Sequence, residues 1–276
     1  LSAFCRRILG EGDLERKLEP PGEALTRDFP PLVAKEWGDP PPARPARQPR
    51  LALRDGTEKL PALRALADPV QRRRCLERFA HHELMAVEML AWAILRWPET
   101  PAELRRDWLL ILRDEQRHCR LYLERLAAHG GALGDEPLSG YLWKQIERID
   151  ASGAGILAFL AGLGLTLEQA NLDFTVYYAE GFRRVGDAES ADVLEEVHRE
   201  EIRHVDSARS WLARLSPEGD ETRRYELAVP FPLSASRAKG RNFQVGARRR
   251  AGLGEAFIEH VRGARASSER AGSGGR

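Results

Sequence analysis

Apolar residues recur every three to four positions along four stretches of this chain, and each stretch is bracketed by residues that start or stop a helix. Asp68 followed by Pro69 is an N-cap with proline at the first helical position, and the rhythm it opens runs to Trp97, where Pro98 ends it. Thr100-Pro-Ala-Glu103 reads as a capping box for a second helix, about 28 residues long, that continues to Gly130-Gly131. The segment after Gly131 is longer and holds a short helix candidate, Leu138 to Asp150, before a third long helix predicted over Gly155 to Val185. Asp187 caps a fourth, which runs to about Leu215 before Pro217.

Two tight hairpins joined by one long crossover is the connectivity of a ferritin-like four-helix bundle, whereas an up-down-up-down bundle has three short loops. The predicted fold class is all-α: a ferritin-like bundle over residues 68–216 with irregular extensions at both ends. Residues 1–67 combine an amphipathic piece, Phe4 to Leu18, with a Pro- and Arg-rich run, Asp39 to Arg50, whose polyproline-like preference marks a linker or wrapping strap. Residues 217–264 turn basic and irregular around a short helix candidate, Leu253 to Arg262, and residues 265–276 read as a disordered tail.

Charge changes this picture little, because 43 Lys and Arg nearly cancel 42 Asp and Glu, so the surface as a whole does not advertise a polyanion partner. Cys5, Cys75 and Cys119 form no CxxC pair and are odd in number, which suits reduced thiols, with Cys119 read as a buried one. The first residues lack the apolar run of a signal peptide, and no stretch approaches the ~20 apolar residues of a membrane span, so the expected location is the cytoplasm. The leading Leu leaves open whether residue 1 is the true start.

The chemistry lies in polar residues at positions where a helix ordinarily carries leucine. Glu115-Gln-Arg-His118 on the second long helix and Glu201-Ile-Arg-His204 on the fourth each put a carboxylate and an imidazole on one helical face. With 28 Glu and 7 His, roughly 0.7 such Glu-x-x-His pairs arise by chance, and a motif needs context. The chain has three, and the third, Glu195-Glu-Val-His198, falls at the edge of its helix's apolar stripe. Glu83 lies 32 residues before Glu115, and Glu168 lies 33 before Glu201, so each hairpin carries a carboxylate level with its Glu-x-x-His. Four carboxylates converging in an apolar interior repel one another, and two divalent cations remove the conflict.

The expected metal ligands are therefore Glu83, Glu115, His118, Glu168, Glu201 and His204. Oxygen and imidazole donors without thiolate favour two iron ions, or manganese or a mixed Mn/Fe pair, over structural zinc. Asp114 and Glu200, each next to a motif glutamate, are candidates to orient the histidine of the opposite hairpin. Glu88 and Glu180 are rival carboxylates, and His81 and His82 are candidates to line the approach. Trp108, Tyr122, Tyr178 and Trp211 read as core rather than as radical carriers.

Ala80-His-His-Glu-Leu-Met-Ala-Val-Glu88, Asp114-Glu-Gln-Arg-His118, Leu167-Glu-Gln-Ala-Asn-Leu-Asp173 and Arg199-Glu-Glu-Ile-Arg-His-Val205 together resemble an uncharacterised bacterial ferritin-like family, one of the domains of unknown function. In outline the chain is also similar to the tRNA-modifying di-iron monooxygenase MiaE. The resemblance covers about residues 60–215 and implies the same six ligands.

The function expected is an O2-dependent oxidoreductase, a hydroxylase or oxidase, using O2, an external electron donor and a small organic substrate. Two alternatives accompany it. One is an iron-handling or peroxide-consuming protein of ferritin or rubrerythrin type, although the four-cysteine module of a complete rubrerythrin is missing. The other is a MiaE-like tRNA nucleoside hydroxylase, with Arg237, Lys239, Arg241, Arg248, Arg249 and Arg250 as candidate phosphate contacts.

Overall fold

The computed structural model describes residues 1–27, 38–56 and 59–265. The expected tail, apart from Arg265, lies outside the described residues. The protein is all-α, with one two-stranded parallel ladder among the described residues, and it divides into two compact units. The first comprises residues 1–146 and 185–193, the second residues 147–184 and 194–276. No helix of the described residues is long and apolar enough to cross a membrane.

The first unit opens with α1 (Ser2–Gly10), α2 (Leu14–Leu18) and α3 (Glu23–Arg27). The expected single piece from Phe4 to Leu18 is thus two helices, because the strap docks at the break. Ala46 donates its N–H to Leu9 O and Gln48 to Gly12 O, and a Cβ on Gly12 would come within 2.9 Å of Gln48 N. The strap continues to β1 (Leu53–Arg54).

The long hairpin of this unit is α4 (Pro69–Arg96) and α5 (Ala102–Ala128). Asp68 caps α4 as expected, its carboxylate accepting the N–H of Val70 at 2.9 Å. The capping box before α5 does not form: Thr100 turns its hydroxyl back to Trp97 O, completing the previous turn, and the helix begins after Pro101. From Leu84 to Leu95 every residue of α4 is buried, so this stretch of the helix is enclosed on all sides. Helix α1 packs on α4, and α2 and α3 pack on α5.

Beyond α5 the expected helix from Leu138 starts late. Leu138–Ser139 instead forms β2, paired with β1, and α6 covers Trp143–Ala151. Ladder bonds from the strap compete successfully with helix formation there: Ser139 also donates its hydroxyl to Gly56 O at 2.6 Å.

In the second unit the third long helix has the predicted extent but three parts: α7 (Ile156–Phe159), a π-helical segment (Leu160–Glu168) and α8 (Gln169–Arg184). Alongside runs α9 (Ala188–Leu215), whose first turn belongs to the first unit. Three further helices follow where an irregular chain with one short helix was expected: α10 (Glu221–Ala228), α11 (Val245–Arg250) and α12 (Glu255–Gly263). Asp220 caps α10 by accepting Arg223 N–H at 2.8 Å.

Candidate metal centre

In the first unit, α4 and α5 are tied together at the level of Glu83. Phe79 stacks on Tyr122 with centroids 5.2 Å apart, and the Cys119 thiol donates to Ala80 O at 3.3 Å. Glu83 is three residues from that carbonyl, one turn along α4, and Glu115 and His118 occupy the turn of α5 just before Cys119. Glu83, Glu115 and His118 each offer a ligand atom within 4.8 Å of the others, and all three are buried. His118 Nδ1 lies 3.4 Å from Glu115 Oε2.

The second unit repeats the arrangement. Glu168, the last residue of the π segment, and Glu201 and His204 of α9 offer ligand atoms within 4.8 Å of one another, again buried. His204 Nδ1 stands 3.3 Å from Glu201 Oε2. The local cause of the π segment is visible: the Thr166 hydroxyl donates to Ala161 O, five residues back, at 2.8 Å and lies 2.8 Å from the Tyr225 hydroxyl. Gly164 in this segment lets α9 come close, since a Cβ there would lie 2.2 Å from Ala208 Cβ. One turn beyond Glu168, Asn171 donates its amide to Glu201 Oε1 at 2.9 Å. Glu201 Oε2 has no hydrogen-bond partner among the described residues.

Both halves of the expected ligand set are thus assembled, and the rival residues are engaged elsewhere. Glu88 accepts from Arg47 at 3.1 and 2.7 Å and from Trp143 Nε1 at 3.1 Å, with Lys17 Nζ 3.0 Å away. Burial pushes the Glu88 carboxyl up, but the Arg47 and Lys17 charges outweigh it and hold the pKa below the ordinary value. Glu180 lies 3.4 Å from Arg184 near the surface. In the third Glu-x-x-His, Glu195 pairs with Arg183 at 2.8 Å, and His198 Nδ1 is 3.0 Å from the Thr175 hydroxyl. Burial and the nearby Arg250 charge lower the His198 pKa.

Of the supporting candidates, Asp114 lies 3.4 Å from Arg113 and Glu200 3.5 Å from Arg203. His81 is fully buried and His82 half-buried. Trp108, Tyr122, Tyr178 and Trp211 are buried. All three cysteines are free and buried; burial pushes the Cys5 pKa up to about 12 and also raises that of Cys119, where the Glu83 charge adds to it.

One expected contact is corrected. Arg248 does not offer its guanidinium to a phosphate: it is fully buried, paired bidentately with Asp173 at 2.7 and 3.0 Å, and lies 3.8 Å over the Phe243 ring. Arg249 pairs with Glu255 at 2.6 Å, Lys239 donates to Arg262 O, and Arg250 is exposed. Sequence reasoning missed Asn171, Lys17 and Arg47 as partners of buried carboxylates. For Asn171 a signal existed, since it follows Glu168 by three residues and so shares its helical face.

Each triad carries two carboxylates and one imidazole, whose charges balance one divalent cation. Such donors suit iron or manganese. The orphan Glu201 Oε2 is the kind of buried acceptor that a cation would satisfy.

The chain is 28% identical over 148 residues to an "Uncharacterized protein" of Haemophilus influenzae, a stretch that covers 51% of this chain and 50% of that protein. It therefore spans about half the length of the curated relative it matches. No solved structure matches it. Residues 11–259 match the family described as "Protein of unknown function (DUF455)", and the chain belongs to that family.

Proposed function

We propose that this chain is a ferritin-like di-iron carboxylate protein, with Glu83, Glu115, His118, Glu168, Glu201 and His204 as its metal ligands, and that it acts as an O2-dependent oxidoreductase on an organic substrate. The observation that carries the reading is the repetition: each hairpin brings a Glu from one helix and a Glu-x-x-His from the next within 4.8 Å of one another, in a buried setting. Three protein donors would leave an iron ion short of its usual coordination, with positions open to O2 or substrate.

When bound, ferrous ions supply electrons to O2, and an external donor restores them. The residues of the chain do the rest. His118 and His204 present nitrogen donors beside Glu115 and Glu201, and these two carboxylates together with Glu83 and Glu168 would balance the charge of two divalent ions. The enclosed stretch of α4 from Leu84 to Leu95 keeps water away on the side of Glu83. Manganese or a mixed pair fits the same donors.

Elemental analysis of the purified chain tests the metal site. Two metals per chain are expected, falling in Glu83→Gln and Glu168→Gln; a wild-type protein with no stoichiometric metal defeats the proposal. Rapid oxidation of the metal when the reduced, iron-loaded chain meets O2 is expected of the oxidoreductase. A hollow shell with many irons per chain selects iron handling instead. The tRNA hydroxylase alternative loses Arg248 as a phosphate contact.

A further inference from the structure

Beside the ligand-bearing turns of α4 and α5, the first unit buries a group of charges that does not sum to zero. Lys17 Nζ lies 3.0 Å from Glu88 Oε1 and Arg47 lies 2.7 Å from Glu88 Oε2, and none of the three side chains is more than 2% exposed. Trp143 Nε1 adds a neutral donor to Glu88 at 3.1 Å. Two cations thus share one carboxylate. The other carboxylate that Lys17 senses, Glu11, is paired with Arg16 at 3.1 Å, and both of those side chains reach solvent, where their field is screened.

Hydrogen bonds fix how close this surplus lies to the proposed ligands. The Gln116 amide donates to the backbone carbonyls of Lys17 at 2.7 Å and Glu19 at 3.0 Å, and Gln116 directly follows Glu115. On the other helix, Glu88 follows Glu83 by five residues, about 7.5 Å of helical rise. Adding about one helix-to-helix spacing sideways puts the Lys17 ammonium on the order of 12 Å from the donors of Glu83, Glu115 and His118. The intervening residues of α4, Leu84 to Val87, are buried, so little solvent screens the field.

We infer that the surplus charge of Lys17 and Arg47 tunes the metal site through space: it loosens the hold of Glu83, Glu115 and His118 on a cation, and it weighs more against a trivalent ion than a divalent one, biasing the metal towards its reduced state. The inference rests on the proposed metal site and needs only the ligands of this unit. Coulomb's law for a unit charge and a divalent ion about 12 Å apart, at effective dielectric constants of about 20 to 40, corresponds to a factor of about 10 to 100 in affinity. The sign separates this role from a structural one. Losing a packing contact beside a metal site weakens binding, whereas losing this charge strengthens it.

The test titrates the metal-free, full-length chain with Co(II), following its visible absorption bands and competition with a chelator, and measures the reduction potential of the iron-loaded chain without O2. Lys17→Met, which keeps the length of the side chain and removes its charge, and Arg47→Gln are both expected to half-saturate at about 10- to 100-fold less free Co(II) than the wild type and to show a lower potential. Lys17→Arg, which keeps the charge, is expected to match the wild type in both. The thermal midpoint of the metal-free protein serves as a folding control, and either neutral variant that keeps it gives the answer. Wild-type or weaker affinity in that variant overturns the inference and leaves the metal reading intact. Equal tightening in Lys17→Arg also overturns it, because the cause is then not charge. A wild type that binds no Co(II) sinks the underlying reading instead.

Discussion

At the scale of single residues, Glu83 and Glu88 lie five positions apart on α4 and are both buried, yet they do different work. Glu88 belongs to a cluster of two cations and one anion, with Lys17 and Arg47 both within hydrogen-bonding distance and no exposed side chain among the three. Burial pushes the Lys17 pKa down despite the neighbouring carboxylate, as expected where cations outnumber anions. The excess charge makes the cluster asymmetric. Glu88→Gln strands two buried cations and is expected to cost about 3–5 kcal/mol. Lys17→Met leaves a neutral Arg47–Glu88 pair and is expected to cost clearly less. Urea unfolding midpoints of the two variants check this order; equal losses would contradict the asymmetry. Arg248 teaches the same lesson about reading charge from sequence. In Arg248-Arg249-Arg250 nothing local distinguishes the three, and only the position of Asp173 on α8 selects which one is buried.

Among elements, the four long helices were legible because their signals are local. Asp68 and Asp187 cap as their sequence context predicts, Asp187 accepting the N–H of Ser190 at 3.1 Å, and proline or glycine ends each helix. Helices α10 and α11 were not, since α11 is held by a long-range pair, Arg248 to Asp173, and α10 packs on the π segment and α12. The π segment was invisible for a related reason. Its shifted hydrogen bonding rests on Thr166 reaching both Ala161 O and Tyr225, and on the close passage of Gly164 by Ala208, a tertiary contact that periodicity does not encode. Gly164→Ala is accordingly expected to destabilise by about 1–3 kcal/mol through overpacking, and Ala208→Gly in the same chain to recover part of the loss. Thermal midpoints of the single and double variants measure it, and a Gly164→Ala protein as stable as the wild type would show that the helices can separate at no cost.

Asp187 also gives an element-scale pH dependence. Burial raises its pKa, but the Ser190 hydroxyl and N–H and the His129 side chain, 2.8 Å away, outweigh that and leave it below the ordinary value. A carboxyl with a depressed folded pKa adds stability above its unfolded pKa of about 3.9 and loses it as the pH falls through the lower folded value. Asp187→Asn keeps the capping oxygen and removes the charge. It is expected to be less stable than the wild type at pH 7, with the difference closing below about pH 4. Denaturation at a series of pH values checks the sign: a gap that widens on acidification contradicts it.

For the whole molecule, each unit carries two carboxylates and one imidazole close together, and each group was legible because helix spacing fixes which residues share a level within a hairpin. That these residues hold metal is the proposal, and it has a thermodynamic consequence. An ion that binds the folded protein and not the unfolded chain stabilises it by RT ln(1 + [L]/Kd), which is about 4 kcal/mol at a thousandfold excess of metal over Kd. Removing the metal with a chelator is therefore expected to lower the thermal midpoint. Glu115→Gln combined with His204→Ala takes one proposed ligand from each unit and is expected to unfold like the chelated wild type, with no response to added iron. Calorimetry with and without metal measures both effects. Metal that leaves the midpoint of the wild type unchanged, or that stabilises the double variant as much as the wild type, would contradict the proposal.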